Sequence, residues 1–330
     1  MRYRTLGRLG WDVSEIGYGM WGIAGGPGGF TGADYGTAPA CLDLAVELGC
    51  NFFDTAWAYG RGISEQMLGA LLRRHPGRTL YVATKIPPKN MEWPPGRGDT
   101  LDDVFPAAHI RECTYKSLEN LGVSRIDLLQ FHVWEDRWAK DERWQEALRD
   151  LKREGVIGAA GISVNRWEPA NCLAALDTGL IDVIQVIYNI FDQAPEDELF
   201  PRAQRDGIGV IARVPFDEGT LAGAVSLDSS WPEGDWRNTY FGPENLGPSV
   251  GHLGELTADL GDLLAGMPLP QLALRFILAH PAVSTVIPGM RTPEHVRANL
   301  AVSDGRALDG GVLARLGRHR WDREPAWWSG

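Results

Sequence analysis

Asn51-Phe52-Phe53-Asp54-Thr55-Ala56-Trp57-Ala58-Tyr59-Gly60 couples an apolar strand end to a polar turn. An apolar strand end here delivers a carboxylate, Asp54, and a turn then delivers a phenol, Tyr59, so both emerge at one rim. The next strand-like run, Leu80 to Thr84, is closed by Lys85, and the one after it, Ile126 to Phe131, is closed by His132. An Asp, a Tyr, a Lys and a His at consecutive strand ends make an acid–base site.

Working outward, apolar runs of strand length alternate with segments of helical periodicity along the whole chain. Upstream lie a small hairpin around Tyr3 and Val13, suited to plugging one end of a barrel, and a first core strand from Ile16 to Met20. A glycine-rich loop, Gly25 to Gly29, follows; it lacks the spacing of a dinucleotide fingerprint and reads as a flexible rim loop. A helix over Pro39 to Gly49 precedes Asn51 to Gly60, and a helix from Ser64 to Pro76 follows it. After Lys85 comes a Pro- and Gly-rich insertion, residues 86–100, then a helix from Pro106 to Leu121. The alternation continues as helix Glu142 to Glu154, strand Val156 to Ile162, helix Glu168 to Thr178, strand Val183 to Ile187, helix Pro195 to Asp206 and strand Ile208 to Ala212. Residues 215–250 form a long irregular stretch whose aromatics suit an ordered cover over a site. Helices Leu253 to Leu264 and Gln271 to His280, an eighth strand Ser284 to Ile287 and a last helix Pro293 to Ala301 complete the pattern.

Eight strands joined by helical crossovers predict a parallel α/β sheet closed into a (β/α)8 TIM barrel, with an N-terminal β-hairpin and long loops at the C-terminal rim. Polar residues at many strand ends favour the closed barrel over an open doubly wound sheet, because a barrel gathers strand ends at one rim. The 330 residues suit one domain spanning 1–330. A net charge of −11 without a basic stripe argues against nucleic acid as a partner. No apolar run reaches membrane-spanning length and no secretory signal precedes the hairpin, so no membrane partner and a cytoplasmic location are expected. The four cysteines, Cys41, Cys50, Cys113 and Cys172, form no CxxC pair and read as free thiols in apolar surroundings, so no metal is expected.

Each candidate residue taken singly has a plain structural explanation: a turn carboxylate, a rim tyrosine, a solvated lysine, a core histidine. Together they serve one chemistry. A phenol donates a proton to a developing alkoxide, but its ordinary pKa of about 10 makes it a slow donor at neutral pH. The Lys85 ammonium is expected to lower that value, Asp54 to keep Lys85 charged, and His132 to hold the substrate oxygen. This is the machinery for reducing a carbonyl with a hydride from a cofactor.

The chain resembles the aldo-keto reductases along nearly its whole length. The resemblance rests on Asn51 to Gly60, Ala83-Thr84-Lys85, Ile126 to His132, Gly161-Ile162-Ser163, Gln185 to Asn189 and Val286 to Asn299. It implies an NAD(P)H-dependent carbonyl reductase built on the eight-fold barrel, with Asp54, Tyr59, Lys85 and His132 as the catalytic four and Tyr59 as proton donor. It further implies that Ser163 and Gln185 hold the nicotinamide carboxamide, with Trp21 as a wall beside the ring. Arg213, Pro215, Phe216, Gly219 and Leu221 match the pyrophosphate-binding stretch, and Gly289, Arg291, His295 and Asn299 the adenosine end. Arg213 stands where many members carry a tyrosine stacked on the nicotinamide. Val164 stands where many carry an asparagine, with Asn165 one residue later. Arg291 favours NADP(H) over NAD(H). Trp21, Trp57, Trp93, Trp134 and the segment from Trp231 to Phe241 are expected to line a pocket for a medium-sized small-molecule carbonyl, an aldehyde, ketone or sugar-derived keto compound, or the corresponding alcohol. Two other readings share this resemblance: a non-catalytic nicotinamide-binding regulatory subunit, and a barrel enzyme with no net redox change.

Overall fold

In a strand with one face turned into a closed barrel, every second residue points at the axis, so residues two apart stack in layers. That rule organises this protein. The computed structural model describes residues 1–25, 31–32 and 34–323, so most of the predicted glycine-rich rim loop lies outside the described residues. The hairpin strands are β1 (Tyr3–Thr5) and β2 (Asp12–Ser14), paired antiparallel. The barrel strands are β3 (Tyr18–Gly19), β4 (Phe52–Asp54), β5 (Tyr81–Ile86), β6 (Ile126–Phe131), β7 (Ile157–Ser163), β8 (Val183–Ile187), β9 (Gly209–Arg213) and β10 (Thr285–Val286). They pair in sequence order, all parallel.

The sheet closes on itself. Parallel bridges join Ile16 to Val286 and Gly19 to Gly289, and the Gly17 amide donates to the Val286 carbonyl at 2.8 Å. At this seam a Cβ on Gly19 would lie 2.6 Å from the Ile287 carbonyl oxygen, so only glycine permits the approach.

The lowest interior layer is apolar: Phe52, Ala83, Leu128, Ala159, Val183 and Ile211 pack with Ile287 and with Leu6 and Val13 of the hairpin region, which seals that end. Two residues further along the same strands stand Asp54, Lys85, Gln130, Gly161, Gln185 and Arg213. The floor is hydrocarbon and the layer above it is polar. Gly161 leaves room in that layer, since a Cβ there would come within 3.0 Å of the Gln130 side chain and 2.9 Å of the Val183 carbonyl oxygen. The outer strand faces meet the surrounding helices in a continuous core that includes Phe53, Leu129, Ile162, Ile184 and Val210.

Several elements differ from the sequence reading. The helix expected over Glu168 to Thr178 is reduced to Leu173–Asp177, because Asn165 and Pro169 hold the preceding residues in turns. The helix expected from Leu253 begins earlier and breaks, running Leu246–Asp259 and then Gly261–Leu264. The segment from Pro195 splits into a 3-10 turn, Ala194–Glu196, and a helix, Leu199–Asp206. A further helix, Gly310–Gly317, follows the one that ends at Leu300. Its two leading glycines hide it from propensity, but Asp309 caps it by accepting from the Val312 amide at 2.9 Å.

Candidate active site

Asp54 ends β4, and its carboxylate is 2% exposed, a position that requires a charged partner. Lys85, in the same interior layer on β5, supplies it: Nζ donates to Asp54 Oδ2 at 2.6 Å and to the Thr55 carbonyl at 2.9 Å. The other carboxylate oxygen accepts from Gln185 Nε2 at 2.7 Å and Gln130 Nε2 at 3.3 Å. The turn after β4, closed by a bond from the Gly62 amide to the Trp57 carbonyl at 2.7 Å, brings Tyr59 back over the barrel mouth. There Lys85 Nζ donates to Tyr59 Oη at 3.3 Å.

His132, immediately after β6, stands edge-on to Tyr59 with ring centroids 5.7 Å apart, and Trp93 stands edge-on to its other side at 5.8 Å. Its buried Nδ1 has no hydrogen-bond partner among the described residues. The four residues predicted as an acid–base site are therefore one contiguous cluster.

Their protonation states follow from burial and neighbours. Burial opposes charge on Lys85, but the adjoining Asp54 and Tyr59 outweigh it and raise its pKa. Burial, aided by the Lys85 and Arg213 cations, pushes His132 well below the ordinary imidazole value, so at neutral pH its ring is uncharged. For Tyr59 the result corrects the sequence reading. Burial raises the phenol more than the Lys85 cation lowers it, and the net shift is upward from 10.0. Lys85 limits the rise rather than producing an acidic phenol.

Two cavities open from this cluster. The smaller, about 80 Å³, is lined by Tyr59, Trp93, His132, Val133, Ser163, Val164, Asn165 and Arg213, among others. The larger, a cleft of about 410 Å³, runs from Trp21, Asp54 and Tyr59 past Gln185 and Arg213 to Gly289, Arg291 and His295. Pro215, Phe216, Glu218 and Gly219 line its wall. The cleft is long and flanked by Arg166, Arg213, Arg237 and Arg291, which suits an extended anionic ligand such as a dinucleotide. Among the described residues, Arg213 Nε at its wall is buried with no hydrogen-bond partner, which fits the same kind of ligand, whereas Arg166 Nε and Nη2 face Asp192 and Asp217 at 3.6 Å.

Not every predicted site residue reaches these cavities. Leu221 is fully buried in the core, Asn299 is 7% exposed, and neither borders the cleft. Trp57 borders neither cavity. Trp134 touches the chamber but is 1% exposed, its indole packed among Phe131, Trp138 and Trp144, so it is core rather than pocket wall. The aromatic segment from Trp231 to Phe241 contributes Trp236 and Tyr240 to the cleft and nothing to the chamber. Trp236 meets Trp21 at 4.9 Å across the cleft, so this segment is the ordered cover expected from its composition.

Three participants escaped the sequence reading. Gln130 was discoverable, since it lies two residues before His132 on an inward-facing register. Arg166 and Glu218 sit in loops, where no periodicity signals direction. Arg166, 7% exposed, lies 3.6 Å from both Asp192 and Asp217. Glu218 lies in a run where Val214, Asp217 and Glu218 all have positive φ, at 55, 44 and 58°. Burial pushes its carboxyl up to about 7, against the opposing pull of Arg166. Arg323 fastens this strained run by donating to Asp217 Oδ1 at 2.7 Å and to Tyr240 Oη at 2.8 Å.

Comparison with known proteins agrees with this architecture. Residues 15–319 match the model of the Aldo/keto reductase family. The chain is 32% identical to "Uncharacterized oxidoreductase YqkF" of Bacillus subtilis, over 97% of this chain and 96% of that one. It is 30% identical to the "NADH-specific methylglyoxal reductase" of Escherichia coli, over 91% of this chain and 93% of that one. Among solved structures, the holo form of aldo-keto reductase AKR11C1 from Bacillus halodurans superposes with a TM-score of 0.76 at 30% identity, covering 98% of this chain and 97% of that one.

Proposed function

The chain belongs to the aldo/keto reductase family of oxidoreductases, and on that premise we propose that it reduces a small aldehyde or ketone to an alcohol with NADP(H) in preference to NAD(H). The observation that carries this reading is the single ammonium of Lys85 placed 2.6 Å from Asp54 and 3.3 Å from Tyr59, at the point where a small chamber meets a long cationic cleft.

A carbonyl compound occupies the chamber lined by Trp93 and His132. The neutral imidazole of His132 donates a hydrogen bond to the carbonyl oxygen and orients it toward Tyr59. The residues lining the cleft would hold a nicotinamide, which when bound would supply the hydride chemistry. As charge develops on oxygen, Tyr59 donates its phenolic proton, and the Lys85 ammonium stabilises the phenolate left behind. Asp54 holds Lys85 charged, while Gln130 and Gln185 satisfy the second carboxylate oxygen so that its charge stays fixed. The reverse sequence oxidises an alcohol through the same groups.

The residues suited to the nucleotide are Gln185, Arg213, Pro215, Phe216 and Gly219 along the wall, with Trp21 and Trp236 above. Arg291 and His295 occupy the far end, the latter in the first turn of Pro293–Leu300. Arg237, the other cation near Arg291, is already paired with Asp235 at 2.8 Å, so the preference for the 2′-phosphate that distinguishes NADP(H) rests on Arg291. The test is a fluorescence titration with NADPH and NADH followed by a panel of short aldehydes and ketones. Binding with nucleotide oxidation on adding a carbonyl supports the proposal. Binding without nucleotide oxidation on adding any panel member overturns the reductase assignment.

A further inference from the structure

Three residues border both the chamber and the cleft: Tyr59, Gln185 and Arg213. On the reading above, a ring in the cleft must present its reacting carbon to the chamber at this junction. Of the three junction residues, Arg213 alone is a cation.

Its guanidinium is held from one side, Nη2 donating to the Val164 carbonyl at 3.0 Å, while Nε is buried without a partner. Among the described residues no carboxylate pairs with it. The nearest acidic groups are otherwise engaged: Asp54 is bound to Lys85 at 2.6 Å, and the Glu218 carboxyl is partly protonated at neutral pH. Burial and the neighbouring Arg166 lower the Arg213 pKa, but a guanidinium starts far enough above neutrality to remain charged. The guanidinium at the junction is therefore offset only from farther off, by Asp54, Asp192 and Glu218, with no direct carboxylate contact among the described residues.

A nicotinamide ring is positively charged when oxidised and neutral when reduced. We propose that Arg213 makes the cleft discriminate between these two states, binding the reduced nucleotide more tightly than the oxidised one. The inference rests on the proposed cofactor but not on any substrate. A unit charge facing a guanidinium across a few ångströms, in a partly buried site and partly offset by Asp54, corresponds to roughly 10–100-fold in affinity. The consequence for turnover is directional: after a carbonyl is reduced, the oxidised nucleotide leaves readily and inhibits weakly.

The experiment measures dissociation constants for NADPH, NADP+, NADH and NAD+ by quenching of tryptophan fluorescence, at fixed pH and salt. Wild-type protein is expected to hold each reduced form at least ~10-fold more tightly than its oxidised partner. Arg213→Gln, which keeps a donor for Val164, should bring both ratios close to one, and Arg213→Lys, which keeps the charge, should preserve them. A wild-type ratio near one overturns the inference while leaving the cofactor assignment intact. So does an Arg213→Gln protein in which both forms weaken equally, the sign of a packing role. Failure of all four nucleotides to bind overturns the cofactor assignment and this inference with it.

Discussion

Replacing Lys85 by methionine keeps the length and hydrocarbon bulk of the side chain and deletes its charge. In the wild type that charge lies 3.3 Å from the Tyr59 oxygen and 2.6 Å from Asp54. At 3.3 Å a unit ion pair is worth ~1–5 kcal/mol between water-like and protein-like screening. That is ~1–4 pKa units of support for the phenolate, at 1.36 kcal/mol per unit. Proton transfer is incomplete in the transition state, so a fraction of this appears in the barrier, and turnover should fall ~10²-fold or more. Asp54 is left buried without its counter-charge, which costs about 3–5 kcal/mol of stability. Adding Asp54→Asn should recover much of that stability and none of the turnover. The assay is single-turnover reduction together with the pH profile of alcohol oxidation, with thermal unfolding as the control for folding. In the oxidation direction, which needs the phenolate, the acid limb should move to higher pH by a unit or more. A Lys85→Met protein that turns over within ~3-fold of wild type, with an unmoved limb, would refute the role given to this ammonium.

Tyr59→Phe should lower turnover by ~10² or more while leaving nucleotide affinity nearly unchanged, because Lys85 keeps its bonds to Asp54 and Thr55; single-turnover rates near wild type would show that another group donates the proton. Arg291→Ala should weaken NADPH binding far more than NADH binding in direct titrations, and equal losses would assign Arg291 to packing. His132 titrates well below 6.5, so as pH falls through 6.5 the unfolded chain gains a proton that the folded imidazole refuses. Stability should then fall with a contribution of up to ~1.4 kcal/mol per pH unit, absent above that pH. Urea unfolding of wild type and His132→Gln at pH 7.5 and 5.5 checks this, and identical pH responses would contradict it.

Much of the fold was legible because the barrel imposes two strong periods, two residues in the strands and 3.6 in the helices. Asp54, Lys85 and Arg213 were found through that alternation, and Gln130 lay open to the same rule. The signal ends where the period ends. Trp134 sits in a loop next to His132, yet its indole turns back among Phe131 and Trp144, and sequence position does not encode that rotation. Arg166 and Asp217 lie far apart in sequence and meet only after the loops fold. The net effect on Tyr59 was misjudged because spacing reveals its neighbour Lys85 but not how much water the folded rim removes.

The seam between Ile16 and Val286 bears on the order of events during synthesis. Thr285 donates to the Ser14 carbonyl across 271 positions of chain, so although β3 can pair with β4 early, its other edge waits for the segment around residue 285 before the barrel closes. The cleft straddles this join, with Gly19, Met20 and Trp21 on one side and Gly289, Arg291 and His295 on the other. A growing chain cannot assemble this cleft until translation has passed residue 295. On the proposed reading, a nucleotide bound across it would clasp the two ends of the barrel together and add its binding energy to closure.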